Sequence, residues 1–383
     1  MAKINWAFIN YTTSDVLTTH VMSFTRMRGK QTFLDQYAGQ QMQVTIRNNT
    51  NQSASWVVGT AIEIRYGNDY QNYWVSEIQY NDQPGTTTTS GSGAGSTATV
   101  LLDDWMSRAG RIQMDAFAFT QAASITQLST QITSGGAVMP SAMDWGTTTA
   151  GSADAVGGAY TGTLATRINL NMASNTPPLN QYAIGKNLNI NAVASNPSNM
   201  VTFQPATGSS TGNYFINYQN FRRITAGQNF LNTVTATPPV VAAQTKTNAS
   251  SVTTYGTRYN GISTENTTVN QTANVAQWLA NCQSDPAALR YEITFTDLMQ
   301  PNTGIDNFFV YLPTQPFVYV KYVVPGSGVT TTAQAIVEGV AYSGTPDQTV
   351  FTVYLSPADY YQQFVLDSAL FGVLDQNRLG ITW

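Results

Sequence analysis

The chain has 383 residues, a formal net charge of −4 and a charged fraction of only 10%, against roughly 25% in an ordinary soluble domain. Its apolar fraction of 42% suffices for hydrophobic cores and excludes a disordered chain. The acidic balance argues against broad electrostatic binding of nucleic acid. No run of about 18 apolar residues is present, which argues against a membrane-spanning helix. With Cys282 as the only cysteine, no intramolecular disulfide can form.

The N-terminal part of the chain is predicted to be β-structure. Residues 43–47 alternate polar and apolar side chains, and the apolar runs 56–66 and 73–78 flank a Gly67-Asn68-Asp69 turn. This pattern is typical of a hairpin. Residues 86–96 are Thr, Gly and Ser without periodicity, which indicates a loop. We therefore expect an N-terminal β-sandwich domain over residues 1–97.

The middle of the chain carries a weaker signal. Residues 98–110 predict a short amphipathic helix that ends at Gly110. Between about residues 120 and 265, short apolar segments at 168–170, 188–193 and 214–216 lie among Gly, Asn, Thr and Pro. Short strands with long polar loops fit this composition best. The sequence thus predicts a loop-rich β region over residues 98–272.

The C-terminal part is predicted to be a second β domain, over residues 273–383. A helix over residues 273–282 is followed by Asp285-Pro286, where proline prevents continuation. Four apolar runs follow, at residues 307–312, 317–324, 334–341 and 349–355, and this spacing suggests a small antiparallel barrel or sandwich. The predicted fold is mainly β, with antiparallel β-sandwich or barrel domains at both ends and two short helices.

Residues for catalysis or metal binding are scarce. His20 is the only histidine, so neither a nucleophile–histidine triad nor a Cys/His zinc site is expected. Glycoside hydrolysis needs two facing carboxylates, and Asp103 and Asp104 are adjacent and point in different directions. Three carboxylates alternate with apolar neighbours in strand patterns and are expected to face solvent: Glu63, Glu77 and Glu338. The sequence predicts no enzyme, no cofactor and no metal.

Several stretches carry a resemblance to a known family. Residues 21–49 read as a strand, a turn with Arg26 and Arg28, a segment ending in Tyr37-Ala38-Gly39, and a strand closing on Asn48. Residues 105–112, 278–291, 337–342, 351–359 and 371–380 follow in matching order. Together they resemble the minor tail proteins of long-tailed bacteriophages with non-contractile tails. The family often has His and Trp near its penultimate strand, where this chain has Tyr342 and Phe351.

This resemblance implies a structural virion protein at the distal end of a phage tail, assembled in the cytoplasm of the bacterial host. It would form or join a ring or adaptor between the tail tube and the host-recognition apparatus. The implied partners are further copies of the chain, in a homo-oligomeric ring or trimer, and other tail proteins (tail tube, tape measure, hub or fibre). Contact with host glycans would be indirect. The residues predicted at subunit interfaces are Arg26, Arg28, Phe371, Leu374, Leu379 and Trp383.

The main alternative is a receptor-binding or carbohydrate-binding tail protein. In that hypothesis exposed aromatic rings stack on sugar faces, and the candidates are Trp56, Tyr73, Trp74 and Trp145. These residues are also typical of cores and subunit interfaces. A phage-encoded glycoside hydrolase and a major capsid protein are further alternatives.

Overall fold

The computed structural model describes the following residues of the chain: 5–32, 35–82, 95–114, 118–119, 125–134, 142–148, 158–159, 162–175, 179–191, 200–205, 214–225, 230–285, 289–299, 302–312 and 316–358.

The strands follow the chain in this order: β1 (Trp6–Asn10), β2 (Val21–Gly29), β3 (Gln41–Arg47), β4 (Ala61–Tyr66), β5 (Asp69–Asn81), β6 (Thr97–Asp103), β7 (Ala118–Phe119), β8 (Asp144–Thr148), β9 (Gly158–Ala159), β10 (Asn180–Ile184), β11 (Asn187–Asn191), β12 (Val201–Pro205), β13 (Phe215–Tyr218), β14 (Asn220–Thr225), β15 (Thr233–Thr237), β16 (Gln244–Thr247), β17 (Tyr259–Ser263), β18 (Leu289–Thr296), β19 (Phe317–Val323), β20 (Thr330–Thr345) and β21 (Gln348–Pro357).

The α-helices are α1 (Trp105–Ala109), α2 (Ile125–Ser134), α3 (Leu164–Ala173), α4 (Ala249–Tyr255), α5 (Val269–Cys282) and α6 (Asn302–Tyr311). Single turns of 3-10 helix lie at Thr18–His20, Gln52–Ser55 and Asp297–Met299. Several helices begin at a side-chain cap: Asp104, Thr163 and Thr268 each accept a hydrogen bond from the backbone N–H three residues on. Within the described ranges, no helix has the length and apolar character that crossing a membrane requires.

A 13-stranded sheet organises the molecule, with the order β1-β4-β5-β6-β3-β2-β20-β19-β12-β13. Strand β21 pairs with β20 and with β18, and β18 also pairs with β14. The long strand β20 joins the two halves, because residues 330–336 pair with β19 and residues 339–344 pair with β2. Strands from the two ends of the chain therefore belong to one sheet.

The main sheet contains strands from the first and the last of the three predicted domains. The predicted boundary at residues 97/98 falls inside β6, which pairs with β3 and β5, and the boundary at 272/273 falls inside α5. Neither position marks a break between elements. In addition, β2 of the first predicted domain pairs with β20 of the last.

Residues 230–285 form a small unit between two paired strands. The unit contains the sheet β16-β15-β17, with α4 and α5. It lies in the chain between β14 and β18, whose terminal residues Thr225 and Leu289 are register partners. The chain thus leaves the main sheet and returns to it at the same place.

The large apolar core lies on the main sheet and is rich in aromatic rings. Trp6 contacts Phe24, Tyr66 and Tyr342, with ring centroids 4.6, 4.8 and 5.7 Å away. A second core joins α1, α2 and α3 to β10 and β11, and a third packs α5 between β15 and residues of β19 and β20. Each core draws residues from distant parts of the chain.

The mainly β prediction is confirmed, and several local predictions are wrong. The described strands form no closed barrel. They are accompanied by six helices rather than two. Residues 98–103, predicted to be helical, belong to β6, whereas residues 307–311 and 168–170, predicted as strands, belong to α6 and α3. Short apolar runs do not distinguish a strand from a buried helix turn, and here packing against the sheet decides.

Candidate functional site

Arg26 and Arg28 lie inside the molecule, on the same face of β2 as Phe24. Side chains two residues apart on a strand point to the same side, and the exposed fractions of the three residues are 3%, 8% and 2%. Both residues were predicted at subunit interfaces, and the structure places them in the interior of the chain. Neither side chain is available to a neighbouring subunit in this conformation.

Both arginines pair with one carboxylate, that of Asp69 at the start of β5. Arg28 forms an ion pair with Asp69 and also donates a hydrogen bond to the carbonyl of Ala183. Arg26 Nη1 lies 3.5 Å from Asp69 Oδ2. Asp69 is 1% exposed, so these charges are separated from solvent and depend on each other.

Two tyrosines complete the hydrogen bonding of Asp69. The hydroxyl of Tyr182 donates to Oδ1 and that of Tyr342 donates to Oδ2, each at 3.0 Å. The Arg26 guanidinium lies 4.7 Å from the centre of the Tyr342 ring, and that of Arg28 lies 3.7 Å from the Tyr182 ring. Planar guanidinium groups stack favourably on such rings. The arginine–aspartate cluster, defined as Arg26, Arg28, Asp69, Tyr182 and Tyr342, thus ties together β2, β5, β10 and β20.

The electrostatics of the cluster favour its charged form. Burial alone would raise the pKa of Asp69, but Arg28, Arg26 and the two tyrosine hydroxyls together hold it below its usual value. Burial would likewise lower the pKa of Arg28, and Asp69 reverses this effect. Burial raises the pKa of Tyr182 and Tyr342, which keeps both hydroxyls protonated as donors. The groups therefore stabilise one another and present no reactive atom to solvent.

Two further ion pairs are buried elsewhere. Lys30 Nζ lies 3.2 Å from Glu338 Oε2, and Arg167 Nη1 lies 3.0 Å from Glu265 Oε1. The prediction that Glu338 faces solvent is wrong. Glu338 is only 5% exposed, and its carboxylate pairs with Lys30. Glu77 is exposed, and Glu63 is half-buried beside Arg65. Burial raises the pKa of Glu265 to about 7, against the opposing effect of Arg167.

A cavity of about 50 Å³ borders the arginine–aspartate cluster. Its lining includes Arg28, Gln71, Asp104 and Glu338. This volume suits a few water molecules rather than a substrate. Asp104 caps α1 by accepting the Ser107 N–H at 2.7 Å, and burial raises its pKa to about 6.

A larger cavity of about 570 Å³ opens to solvent between the segment 36–41, α1 and the start of α3. Its lining is mostly polar. Asp103 lies at its floor, where Oδ1 accepts a hydrogen bond from Gln41 Nε2 at 3.1 Å and Oδ2 pairs with Arg111 Nη2 at 2.7 Å. The volume falls in the range of about 300–1,000 Å³ typical of small-ligand sites.

The residues considered for catalysis do not come together. His20 is half-buried in the turn before β2, and Cys282 is buried at the end of α5. Asp103 and Asp104 serve separate purposes, one in an ion pair and the other as a helix cap. Among the described residues, no group of three or more His, Cys, Asp or Glu side chains could hold a metal ion.

Three of the four aromatic residues considered for sugar stacking are buried. Trp56, Tyr73 and Trp74 are at most 1% exposed, and Trp145 is half-buried against Trp105. The predicted C-terminal interface residues, Phe371, Leu374, Leu379 and Trp383, lie outside the described residues. Their role remains a prediction.

Several solved protein structures have a similar fold. The structure matches the tail protein from Neisseria meningitidis MC58 with a TM-score of 0.59 and 9% identity, covering 94% of this chain and 98% of that one. It matches the 43 kDa tail protein of prophage MuSo2 from Shewanella oneidensis with a TM-score of 0.58 and 13% identity, covering 94% and 98%.

A third match is the Escherichia coli protein c3393, a component of the type VI secretion system with structural similarity to the bacteriophage T4 tail proteins gp27 and gp5. Here the TM-score is 0.50 at 10% identity, covering 92% of this chain and 77% of that one. No protein-family model and no curated protein sequence matches the chain. The similarity therefore lies in structure, and the chain has the fold of phage and prophage tail proteins.

Proposed function

We propose that this chain is a structural, non-enzymatic subunit of a phage tail tip. The observation that carries the proposal is the extent of the structural match, which covers 94% of this chain and 98% of the Neisseria tail protein. A match of this extent concerns the whole architecture rather than one common module. Fold alone does not fix function, so the side chains must support the same interpretation.

The buried charges support a scaffold. The arginine–aspartate cluster and the pairs Lys30–Glu338 and Arg167–Glu265 use their charges within the chain. Buried charges that pair within the chain hold their strands and helices together, whereas a catalytic centre needs groups that face a cleft. Rigidity is what a subunit needs when it transmits load between a tube and a host-recognition apparatus.

We further propose that the subunits form or join a homo-oligomeric ring, with the tail tube, tape measure, hub or fibre proteins as neighbours. Interfaces favour tyrosine and disfavour lysine and glutamate. The chain has 20 tyrosines and a charged fraction of 10%. Several tyrosines are exposed in different parts of the chain and could contact a neighbouring subunit: Tyr11, Tyr80, Tyr255 and Tyr259.

The test is to locate the protein in the virion and to measure its assembly state. Gold-labelled antibody against this chain should decorate the distal end of the tail in electron micrographs. The purified chain should have an oligomeric mass by light scattering, alone or with a neighbouring tail protein. Label on the head, or on outward fibres, would contradict the proposal, as would a chain that stays monomeric with every tail protein of the same phage.

A further inference from the structure

The cavity of about 570 Å³, described above between α1 and α3, has a lining that differs from the apolar lining of most small-ligand sites. Most of its lining residues carry amide, hydroxyl or guanidinium groups, and the buried carboxylate of Asp103 lies beneath them. The polar lining residues are Gln36, Gln41, Asp103, Ser107, Arg111, Thr163, Thr166 and Asn169. A ligand that fits this lining must offer many hydrogen-bond donors and acceptors and little apolar surface.

The walls of the cavity are held together by hydrogen bonds. Ser107 Oγ on α1 donates to the Gln40 carbonyl at 3.0 Å, and Asn169 Nδ2 on α3 donates to the Tyr37 carbonyl at 2.9 Å. Gly39 lies so close to α1 that a Cβ there would be 2.5 Å from Ser107 Cα. The segment 36–41 is thus fixed between two helices, and the cavity is preorganised rather than a gap beside a loose loop.

The two charged residues that line the cavity pair with each other. Asp103 is fully buried and Arg111 is half exposed, and the two form an ion pair across the floor. The charges of this pair cancel, which favours a neutral ligand. Arg111 has five N–H donors in a plane, and its ion pair is made through Nη2. The remaining N–H groups can donate to two adjacent sugar hydroxyls at once, because each hydroxyl oxygen accepts.

We propose that this cavity binds a neutral saccharide. The sugar hydroxyls would contact Arg111 and the amide oxygens of Gln41 and Asn169, whose amide nitrogens donate to Asp103 and to the Tyr37 carbonyl. Thr163, which caps α3, and Thr166 line the same side of the cavity. The cavity lining contains none of the four aromatic residues that the sequence suggested for sugar stacking. It gives the chain a direct glycan contact, beyond a structural place in the tail.

The test uses the full chain and a defined panel of neutral sugars: glucose, galactose, rhamnose, N-acetylglucosamine and their common disaccharides. Saturation-transfer NMR identifies binders at up to about 10 mM, and calorimetry gives the dissociation constant. Thr166→Phe places a ring in the cavity from the exposed side of α3 and should weaken binding about tenfold or more. Thr253→Phe, at an exposed threonine of α4, is the matched control and should bind as the parent does.

Gln36→Ala is a second variant, for the case that Thr166→Phe fails to fold. Gln36 is exposed, and its truncation removes one amide from the cavity lining without adding bulk. It should weaken binding by about threefold. The proposal is wrong if no sugar of the panel binds, or if binding survives Thr166→Phe unchanged. It is also wrong if Thr166→Phe abolishes binding of another tail protein while no sugar binds, since the cavity is then a protein-docking site. None of these results alters the location of the chain in the virion, which the antibody label tests separately.

Discussion

Arg28 on strand β2 and Asp69 at the start of strand β5 form an ion pair in which the arginine side chain is 8% exposed and the aspartate side chain is fully buried. Because Arg26 approaches the same carboxylate from two residues away, Asp69 compensates two buried cations at once. The strand β2 can carry two arginines into the core only while this carboxylate is present.

Replacing Asp69 by asparagine should therefore destabilise the fold strongly. The amide would keep the shape of the side chain and leave two buried guanidinium groups uncompensated, which costs about 3–5 kcal/mol of unfolding free energy. Denaturant titration followed by circular dichroism measures the difference. The control is Asp144→Asn, whose pair with Lys186 is about half exposed, and which should cost at most about 1 kcal/mol. Equal effects of the two substitutions would show that the cluster does not hold the fold.

The same carboxylate should set the acid limit of stability. The folded-state pKa of Asp69 lies below its unfolded value of about 3.9, so its contribution is present above that value and is lost as pH falls through the folded-state pKa. The difference in unfolding free energy between the parent and Asp69→Asn should be constant above about pH 5 and should shrink below about pH 4. A difference that persists unchanged to about pH 2 would contradict this.

Glu265 should have the opposite pH dependence. Its folded-state pKa of about 7 lies above the ordinary value of 4.5, so folding favours the protonated form. This contribution is present below about pH 4.5 and is lost as pH rises through about 7. Glu265→Gln imitates the protonated form, and its stability relative to the parent should increase over that interval. A relative stability of Glu265→Gln that falls as pH rises would show that the pair with Arg167 outweighs burial.

Gly339 should resist even the smallest substitution. A Cβ at this position would lie 2.5 Å from the carbonyl oxygens of both Arg28 and Lys30, where β20 crosses the end of β2. Gly339→Ala should force these strands apart and lower the unfolding free energy by about 1–3 kcal/mol. Gly110→Ala is the control, because its φ is −64° and a Cβ there meets nothing closer than 3.4 Å. The melting temperatures of both variants are compared with that of the parent. An unchanged melting temperature for Gly339→Ala would show that the close approach of β20 to β2 does not require glycine.

The sequence predicted strands well where burial alternates. The segment 43–47 lies in β3, whose residues alternate between exposed and buried, and the runs at 317–324, 334–341 and 349–355 correspond to β19, β20 and β21. Prediction failed for residues 307–312, because an apolar run of six residues fits a buried strand and a helix equally. Only the packing of α6 against the sheet decides between them.

The candidate sites were harder to predict, for two physical reasons. The spacing of Phe24, Arg26 and Arg28 is a signal that one strand face holds all three, and it predicts burial of the arginines once Phe24 is placed in the core. Their partner Asp69 is distant in sequence, and nothing local identifies it. The polar cavity depends on three segments that meet only in the folded chain, so no pattern in the sequence could reveal it.

The position of β20 between β2 and β19 also determines when the protein can fold during synthesis. The ribosome completes β2 at Gly29 but reaches Thr330, the first residue of β20, only after most of the chain has emerged. At about 5–20 residues per second, β2 waits tens of seconds for its partner strand with its edge unpaired. Unpaired edges invite pairing with other chains. Chaperones that cover this edge during synthesis should therefore raise the yield of soluble protein, and slower translation should lower it.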